Sequence, residues 1–100
     1  MLIEPGAIAT GMKPIEPHQG PADYAALWEQ CAGADTKTTG PSGPPGPEVV
    51  ALAIARAIED PATPLRVPVG QDAEMILALR RSLDDQAFEE AMRKAIGFTW

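Results

Sequence analysis

The first ten residues are Met1-Leu2-Ile3-Glu4-Pro5-Gly6-Ala7-Ile8-Ala9-Thr10. An apolar run that ends in a Pro-Gly pair is typical of a buried strand that stops at a sharp turn, because Pro and Gly break regular structure. A strand this short is stable only when other strands pair with it. We therefore predict the end of a strand and a compact turn over residues 1–10.

A second strand is predicted over residues 65–70, which are Leu65-Arg66-Val67-Pro68-Val69-Gly70. The stretch is short and mostly apolar, as expected for a strand with at least one buried face. Pro68 has no backbone N–H to donate to a neighbouring strand, so this strand is expected at the edge of its sheet.

Residues 47–60 predict a helix that is buried on most sides. Pro47 suits the first helical position, and Glu48 favours the positive end of the helix dipole. From Val49 to Ile58 only Arg56 is polar. A helix without a polar face must be covered by a large apolar surface.

Two more helices are predicted over residues 72–97. Asp72 is placed to cap the first of them. The second begins near Asp84 or Asp85. Gly97 ends it, because glycine tolerates the left-handed conformation that often follows a helix.

Residues 11–46 are predicted as a long loop with one short helix. Prolines and glycines interrupt residues 11–20, and a helix from Pro21 to Gly33 is indicated by an apolar stripe at helical spacing. The stripe consists of Tyr24, Leu27, Trp28 and Cys31. It either seats the helix on the domain or lines a binding site, and packing is the commoner use of such a stripe. Residues 34–46, rich in Thr, Gly and Pro, are predicted as a mobile connector.

These elements together predict an α/β fold. One hundred residues correspond to a single domain, here with two strands and about four helices. Two strands are too few for a doubly wound sheet. The apolar helix and the second strand need neighbours that the chain does not encode, so we expect the sequence to be the end of a larger domain.

The charge balance disfavours two classes of partner. Lys and Arg total 8 against 14 for Asp and Glu, and the formal net charge is −6. Binding to nucleic acid or to an anionic membrane surface depends on clustered positive charge, which neither half of the chain carries. The longest apolar run, Val49 to Ala55, is far shorter than the ~20 residues that span a bilayer. The single cysteine, the lack of Asn and the start of the chain favour a cytoplasmic protein.

Three segments occur in a recognisable order. They are Pro5-Gly6-Ala7-Ile8-Ala9-Thr10 after a predicted strand, Pro47-Glu48-Val49-Val50-Ala51 at a helix start, and Arg66-Val67-Pro68-Val69-Gly70-Gln71-Asp72-Ala73 at a strand and turn. They resemble the Pro-Gly-x-Ile/Val-x-Thr, Pro-Glu-x-Val-Ala and Arg-x-x-x-Gly-x-Asp-Ala segments of the short-chain dehydrogenase/reductase family. The resemblance implies the C-terminal part of a Rossmann-type doubly wound parallel sheet.

The same resemblance implies a nicotinamide cofactor, NAD or NADP. Pro5 and Gly6 are similar to the residues that shape the cofactor turn, with Gly6 allowing close approach of the backbone. The backbone of Ile8 and the hydroxyl of Thr10 are similar to the groups that hold the nicotinamide carboxamide. A carboxamide has one acceptor and two donors, so a backbone N–H and a hydroxyl can fix its orientation. The alternative is that the Pro-Gly pair is only a turn and Thr10 a local cap.

Substrate and subunit contacts follow from the resemblance as well. Residues 11–46 correspond to the lid that covers a carbonyl or alcohol substrate in this family. The apolar residues available to line this lid are Met12, Tyr24, Leu27 and Trp28, so the substrate is expected to be partly apolar. The helix at 47–60 and the strand at 65–70 correspond to elements that often form subunit contacts, which implies a homo-oligomer.

The residues that perform the family's chemistry are not in the sequence. A tyrosine acid/base followed by a lysine four residues later is required, but the only tyrosine is Tyr24 and the residue four later is Trp28. The glycine-rich pyrophosphate fingerprint is also missing. We therefore expect no catalysis by these 100 residues alone. No residue here is assigned a catalytic role, and a stand-alone binding or dimerisation module derived from the same fold remains the alternative.

Other chemistries are disfavoured by residue counts. His18 and Cys31 are the only imidazole and thiol, whereas a closed zinc site normally uses four ligands. His18 is expected to be an exposed loop residue and Cys31 a buried thiol. The carboxylate pairs Asp84/Asp85 and Glu89/Glu90 are expected to cap a helix and to lie on its solvated face.

Overall fold

The computed structural model of the chain describes residues 1–12 and 21–99. Its mixed α/β architecture confirms the predicted fold class in its coarse form. The elements in chain order are strand β1 (Leu2–Pro5), a 3₁₀ turn (Ala22–Tyr24), helix α1 (Ala25–Cys31), helix α2 (Ala34–Thr39), helix α3 (Glu48–Glu59), strand β2 (Arg66–Val69), helix α4 (Gln71–Ser82) and helix α5 (Asp85–Ile96).

The two strands form one parallel sheet. Leu2 pairs with Arg66 and Pro5 pairs with Val69 at the two ends of the register. Parallel strands need a crossover connection, and α3 lies within it. Pro68 therefore belongs to a strand with only one partner among the described residues, in agreement with its predicted edge position.

The helices surround this sheet unevenly. Helix α3 packs on both strands and α4 packs on β2, while α2 lies against α4 and α5. The only apolar side chains buried in the described part of the chain are Ala57 and Val69. The core is therefore a thin layer between the sheet and its helices.

Helix α3 is not buried on most sides, contrary to the prediction. Ala57 is buried, but Leu52 is 56% exposed and Ile58 is 71% exposed. A two-stranded sheet is narrow, so it covers one stripe of the helix and leaves the other apolar residues without a neighbour. Leu65, just before β2, is 74% exposed as well.

The prediction of a mobile connector over residues 34–46 is wrong for residues 34–39, because these residues form α2. The Thr38 hydroxyl donates a hydrogen bond to the Ala34 carbonyl, and the Lys37 ammonium donates to the Ile96 carbonyl at the end of α5. Thr and Asp lower intrinsic helix propensity, but contacts with another helix compensate for it. Sequence propensity alone therefore missed this element.

Helix α1 is present where it was predicted, but its apolar stripe does not seat it. Trp28 is 46% exposed and Tyr24 is 44% exposed. The helix is tied down by polar contacts instead, because the Gln30 amide donates to the Thr99 hydroxyl at 2.8 Å and accepts from the Thr99 N–H at 2.8 Å. Cys31 is exposed, so the expectation of a buried thiol is wrong.

Helix α5 begins and ends as predicted. The Asp84 carboxylate accepts a hydrogen bond from the Ala87 N–H at 2.8 Å, the standard arrangement of an N-terminal cap. Gly97 follows the last helical residue and has a φ angle of 68°. The left-handed conformation that ends the helix is therefore adopted by a glycine. Among the described residues, no helix is both long and apolar enough to cross a membrane.

Removing the cap is expected to loosen the first turn of α5. Asp84→Ala eliminates the acceptor for the Ala87 N–H, a change that costs about 1 kcal/mol of helix stability, or about fivefold in local opening. Amide hydrogen exchange at Ala87 should accelerate accordingly. Asp85→Ala is the matched control, because it removes a carboxylate of the same helical turn and its exposed ion pair with Arg80 but leaves the acceptor for the Ala87 N–H in place. Equal acceleration in both variants would contradict the capping role of Asp84.

Candidate functional site

The candidate site is the turn formed by residues 5–10, at the carboxyl end of β1. The Gly6 N–H donates to the Val69 carbonyl at 2.9 Å, which extends the strand pairing by one residue. The Ala9 N–H donates to the Pro45 carbonyl at 2.8 Å, which ties the turn to the loop before α3. The turn therefore lies where ligands bind in open parallel sheets, beside the carboxyl ends of the strands.

Asp72 holds the middle of this turn. Its Oδ2 accepts a hydrogen bond from the Ala7 N–H at 2.7 Å, and the residue is only 4% exposed. The prediction that Asp72 caps a helix is wrong, because α4 already begins at Gln71 and Gly70 occupies the cap position. Asp72 lies inside the first turn of α4, where the helix dipole favours a carboxylate, and its side chain reaches residue 7 across the sheet.

The space over Gly6 is filled by the same carboxylate. A Cβ atom at Gly6 would lie 2.1 Å from Oδ1 of Asp72 and 2.3 Å from Oδ2. The resemblance implied that Gly6 leaves room for the cofactor. Among the described residues, Asp72 is the neighbour whose closeness requires glycine at position 6.

Ile8 and Thr10 present the polar groups of the turn. Among the described residues, none accepts a hydrogen bond from the Ile8 N–H. Thr10 is exposed, and its hydroxyl oxygen accepts from the Met12 N–H at 3.3 Å, which leaves its own O–H to donate. Pro5 ends β1 and is exposed. An N–H donor and a hydroxyl that lie two residues apart fit the acceptor and donors of a carboxamide.

A cleft of about 600 Å³ opens beside the turn. Its apolar lining comes from Ile8, Met12, Ile76, Met92 and Ile96. Ala34 and Thr38 of α2 complete one wall, so the segment that sequence patterns left without structure contributes to the cleft. Of the apolar residues predicted to be available for the lid, Met12 lines this cleft, whereas Tyr24, Leu27 and Trp28 do not.

An ion pair crosses the two strands next to the turn. The Arg66 Nε donates to both carboxylate oxygens of Glu4, at 3.1 and 3.0 Å. Hydrogen bonding to Arg66 lowers the pKa of the Glu4 carboxyl, with a smaller contribution from the charge of Arg81, and desolvation opposes the shift. A carboxyl group with a lowered pKa is ionised at neutral pH, so Glu4 is unsuited to act as a general acid.

The carboxylates of the two acidic pairs in α5 and its cap have structural partners. Asp84 caps α5, Asp85 pairs with Arg80, Glu89 pairs with Arg93, and the Gln86 amide donates to Glu90. The expectation of capping and solvated charge is therefore confirmed. Within the described ranges, no group of His, Cys, Asp and Glu is arranged to hold a metal ion. His18 lies outside the described residues.

Comparison with known proteins adds no relative. No protein-family model matched the chain, and neither a curated protein nor a solved structure matched it. The functional assignment therefore depends on the residues and geometry of the turn at 5–10.

Proposed function

We propose that the chain is the C-terminal part of an NAD(P)-dependent short-chain oxidoreductase, in which the turn at 5–10 holds the nicotinamide end of the cofactor. The observation that carries the proposal is the combination of an Ile8 N–H that has no acceptor among the described residues and an exposed Thr10 hydroxyl, at the carboxyl end of a parallel strand. Parallel sheets bind nucleotides at this end. The Rossmann-type sheet belongs to the proposal, since the two strands are parallel neighbours as such a sheet requires.

The roles of the residues differ within the proposed site. The bound nicotinamide would supply hydride transfer to or from a carbonyl or alcohol carbon. The Ile8 N–H and the Thr10 hydroxyl would hold the carboxamide, and two fixed groups of this kind would select which face of the ring meets the substrate. Pro5 and Gly6 set the course of the turn. The apolar lining of the neighbouring cleft supports a partly apolar substrate.

The proposal also gives the exposed apolar residues a role. Leu52 and Ile58 of α3, and Leu65 before β2, would be covered in the intact enzyme by its remaining sheet, its other helices or a second subunit. Apolar patches of this kind are typical of interfaces. Residues 47–60 and 65–70 therefore remain the proposed contact elements of a homo-oligomer.

The first test is the complete open reading frame that contains these codons. We expect it to encode a glycine-rich turn between a strand and a helix, and a Tyr-x-x-x-Lys pair, upstream of the turn at 5–10. An in-frame stop codon directly upstream of the first codon would instead favour the alternative module. The reading frame also supplies the protein in which the roles of single residues can be measured.

In the protein encoded by that reading frame, Thr10→Val is expected to impair cofactor use. The substitution preserves shape but removes one hydrogen bond to the carboxamide, which corresponds to about a tenfold loss in kcat/KM for the nicotinamide nucleotide. Steady-state kinetics with NAD and NADP would measure it. Thr63→Val is the matched control, because Thr63 lies in the turn after α3. Equal activities for wild type and Thr10→Val would contradict the proposed contact.

The second candidate is a non-catalytic module that docks on a partner. The observation that favours it is the exposure of Leu52, Ile58 and Leu65 on α3 and before β2, since such residues gain free energy when they are covered. It predicts that the isolated chain is a monomer that unfolds cooperatively, and that it shows no nicotinamide-dependent turnover.

A further inference from the structure

We propose that Asp72 is a positioning residue for the turn at 5–10, whose carboxylate fixes the course of the backbone so that the Ile8 N–H remains available to a ligand. The inference rests on the proposed function for the identity of that ligand. Its structural part, the control of the turn by Asp72, rests on the contacts of Asp72 alone.

Asp72 is the one buried polar residue in the described part of the chain. Burying an ionisable side chain without a hydrogen-bond partner is costly. Asp72 has such a partner in the Ala7 N–H, at 2.7 Å. Among the described residues, every buried side-chain nitrogen or oxygen has a hydrogen-bond partner. The contact between Asp72 and Ala7 is therefore a defined interaction that joins the start of α4 to the turn, 65 residues apart in the chain.

Three backbone amides of the turn are held from three directions. Gly6 donates to the Val69 carbonyl and Ala9 to the Pro45 carbonyl, whereas Ala7 donates to the Asp72 side chain. Ile8 lies between two anchored residues and has no acceptor of its own among the described residues. Because the peptide planes on both sides are restrained, the direction of the Ile8 N–H is restrained as well.

Asp72 differs from the other two anchors in being a side chain. Val69 and Pro45 contribute backbone carbonyls, which any residue would supply, so the identity of residue 72 alone decides whether the central anchor exists. The carboxylate also occupies the space over Gly6, which prevents the turn from collapsing onto α4. A positioning role predicts that a loss of Asp72 alters the turn while the two groups proposed to hold the carboxamide, the Ile8 N–H and the Thr10 hydroxyl, stay in the chain.

The test uses the protein encoded by the complete reading frame, with Asp72→Ala and Asp72→Asn. Asp72→Ala is expected to raise the KM for the nicotinamide nucleotide about tenfold, and to accelerate amide exchange at Ala7 and Ile8. Asp72→Asn retains an oxygen that can accept from the Ala7 N–H, so it should restore most of both properties. Glu74→Ala is the control, because Glu74 is an exposed carboxylate in the same helical turn.

The outcomes separate this inference from the proposed function. An unchanged KM together with unchanged exchange at Ala7 and Ile8 in Asp72→Ala would overturn the positioning role. A different result is faster exchange at both amides in Asp72→Ala, together with no nicotinamide-dependent turnover in the wild-type protein. It would support the positioning role and overturn the proposed function. If Asp72→Ala does not fold, Asp72→Ser, which is too short to reach Ala7 in the same way, takes its place in both measurements.

Discussion

Gly6→Ala is expected to disrupt the turn at 5–10, although it adds only one methyl group. The new Cβ would lie 2.1 Å from Oδ1, 2.3 Å from Oδ2 and 2.4 Å from Cγ of Asp72. Atoms cannot approach so closely, and the buried carboxylate cannot move aside without leaving the Ala7 N–H unpaired. Overpacking of this kind costs about 1–3 kcal/mol, and loss of the buried hydrogen bond adds a further ~1–3 kcal/mol.

The measurement is the melting temperature of the protein encoded by the complete reading frame. A loss of that size corresponds to a decrease of roughly 5–15 °C for a domain of about 150–250 residues. Activity should fall as well, since the Ile8 N–H moves with the turn. A melting temperature within one degree or so of wild type would show that the contact between Gly6 and Asp72 is not closely packed.

Gly46→Ala is a closely matched control. A Cβ at Gly46 would lie 2.2 Å from a carboxylate oxygen of Glu48, almost the same separation as at Gly6. Glu48 is exposed, however, so its side chain can rotate into solvent at little cost. We expect Gly46→Ala to change stability by less than about 0.5 kcal/mol. The contrast between the two substitutions separates burial of the carboxylate from mere proximity.

A double substitution identifies the cause of the Gly6→Ala effect. If the clash with Asp72 is responsible, Gly6→Ala should cost much less in an Asp72→Ala background than in the wild type. The two residues are in contact, so their effects should be strongly non-additive. Additive effects would mean that the alanine at position 6 clashes with a different neighbour.

Local sequence signals predicted both ends of α5 well. The cap at Asp84 and the left-handed Gly97 of α5 depend on residues within one helical turn, so the sequence contains all the information that they require. The strand at Arg66–Val69 was also recognisable, because its apolar run lies between breakers. The turn at 5–10 was likewise predicted from a local signal, because a Pro-Gly pair ends regular structure in the residues beside it.

Long-range contacts account for what the sequence did not predict. Asp72 was interpreted as a cap because an acidic residue near a helix start usually serves that purpose, but its partner is Ala7, 65 residues away. Helix α2 was missed for the same reason, since its Lys37 contacts the end of α5. A single sequence contains no signal for either pairing. The sequence therefore predicted a turn over residues 5–10, whose role as a site stays a prediction, but it did not predict that the Asp72 side chain supports that turn.

The isolated 100-residue chain is expected to lack a cooperative unfolding transition. Only Ala57 and Val69 are buried apolar side chains in the described part, and no described side chain is completely buried. The chain exposes 7591 Å², about 2,000 Å² more than a compact monomer of its mass ordinarily exposes. Its radius of gyration is 16.0 Å, against roughly 13 Å for a compact chain of this length.

The expected behaviour is that of a compact state without fixed packing. Helical circular dichroism should be present, because α4 and α5 have charges that complement their dipoles and α5 has a capped end, while the chain binds the apolar dye ANS and melts over a broad temperature range. The protein encoded by the complete reading frame is the control and should melt sharply. A sharp calorimetric transition from a monomeric 100-residue chain would contradict this expectation. It would favour an independent module, because Leu52, Ile58 and Leu65 would then be tolerated in water without the rest of a sheet to cover them.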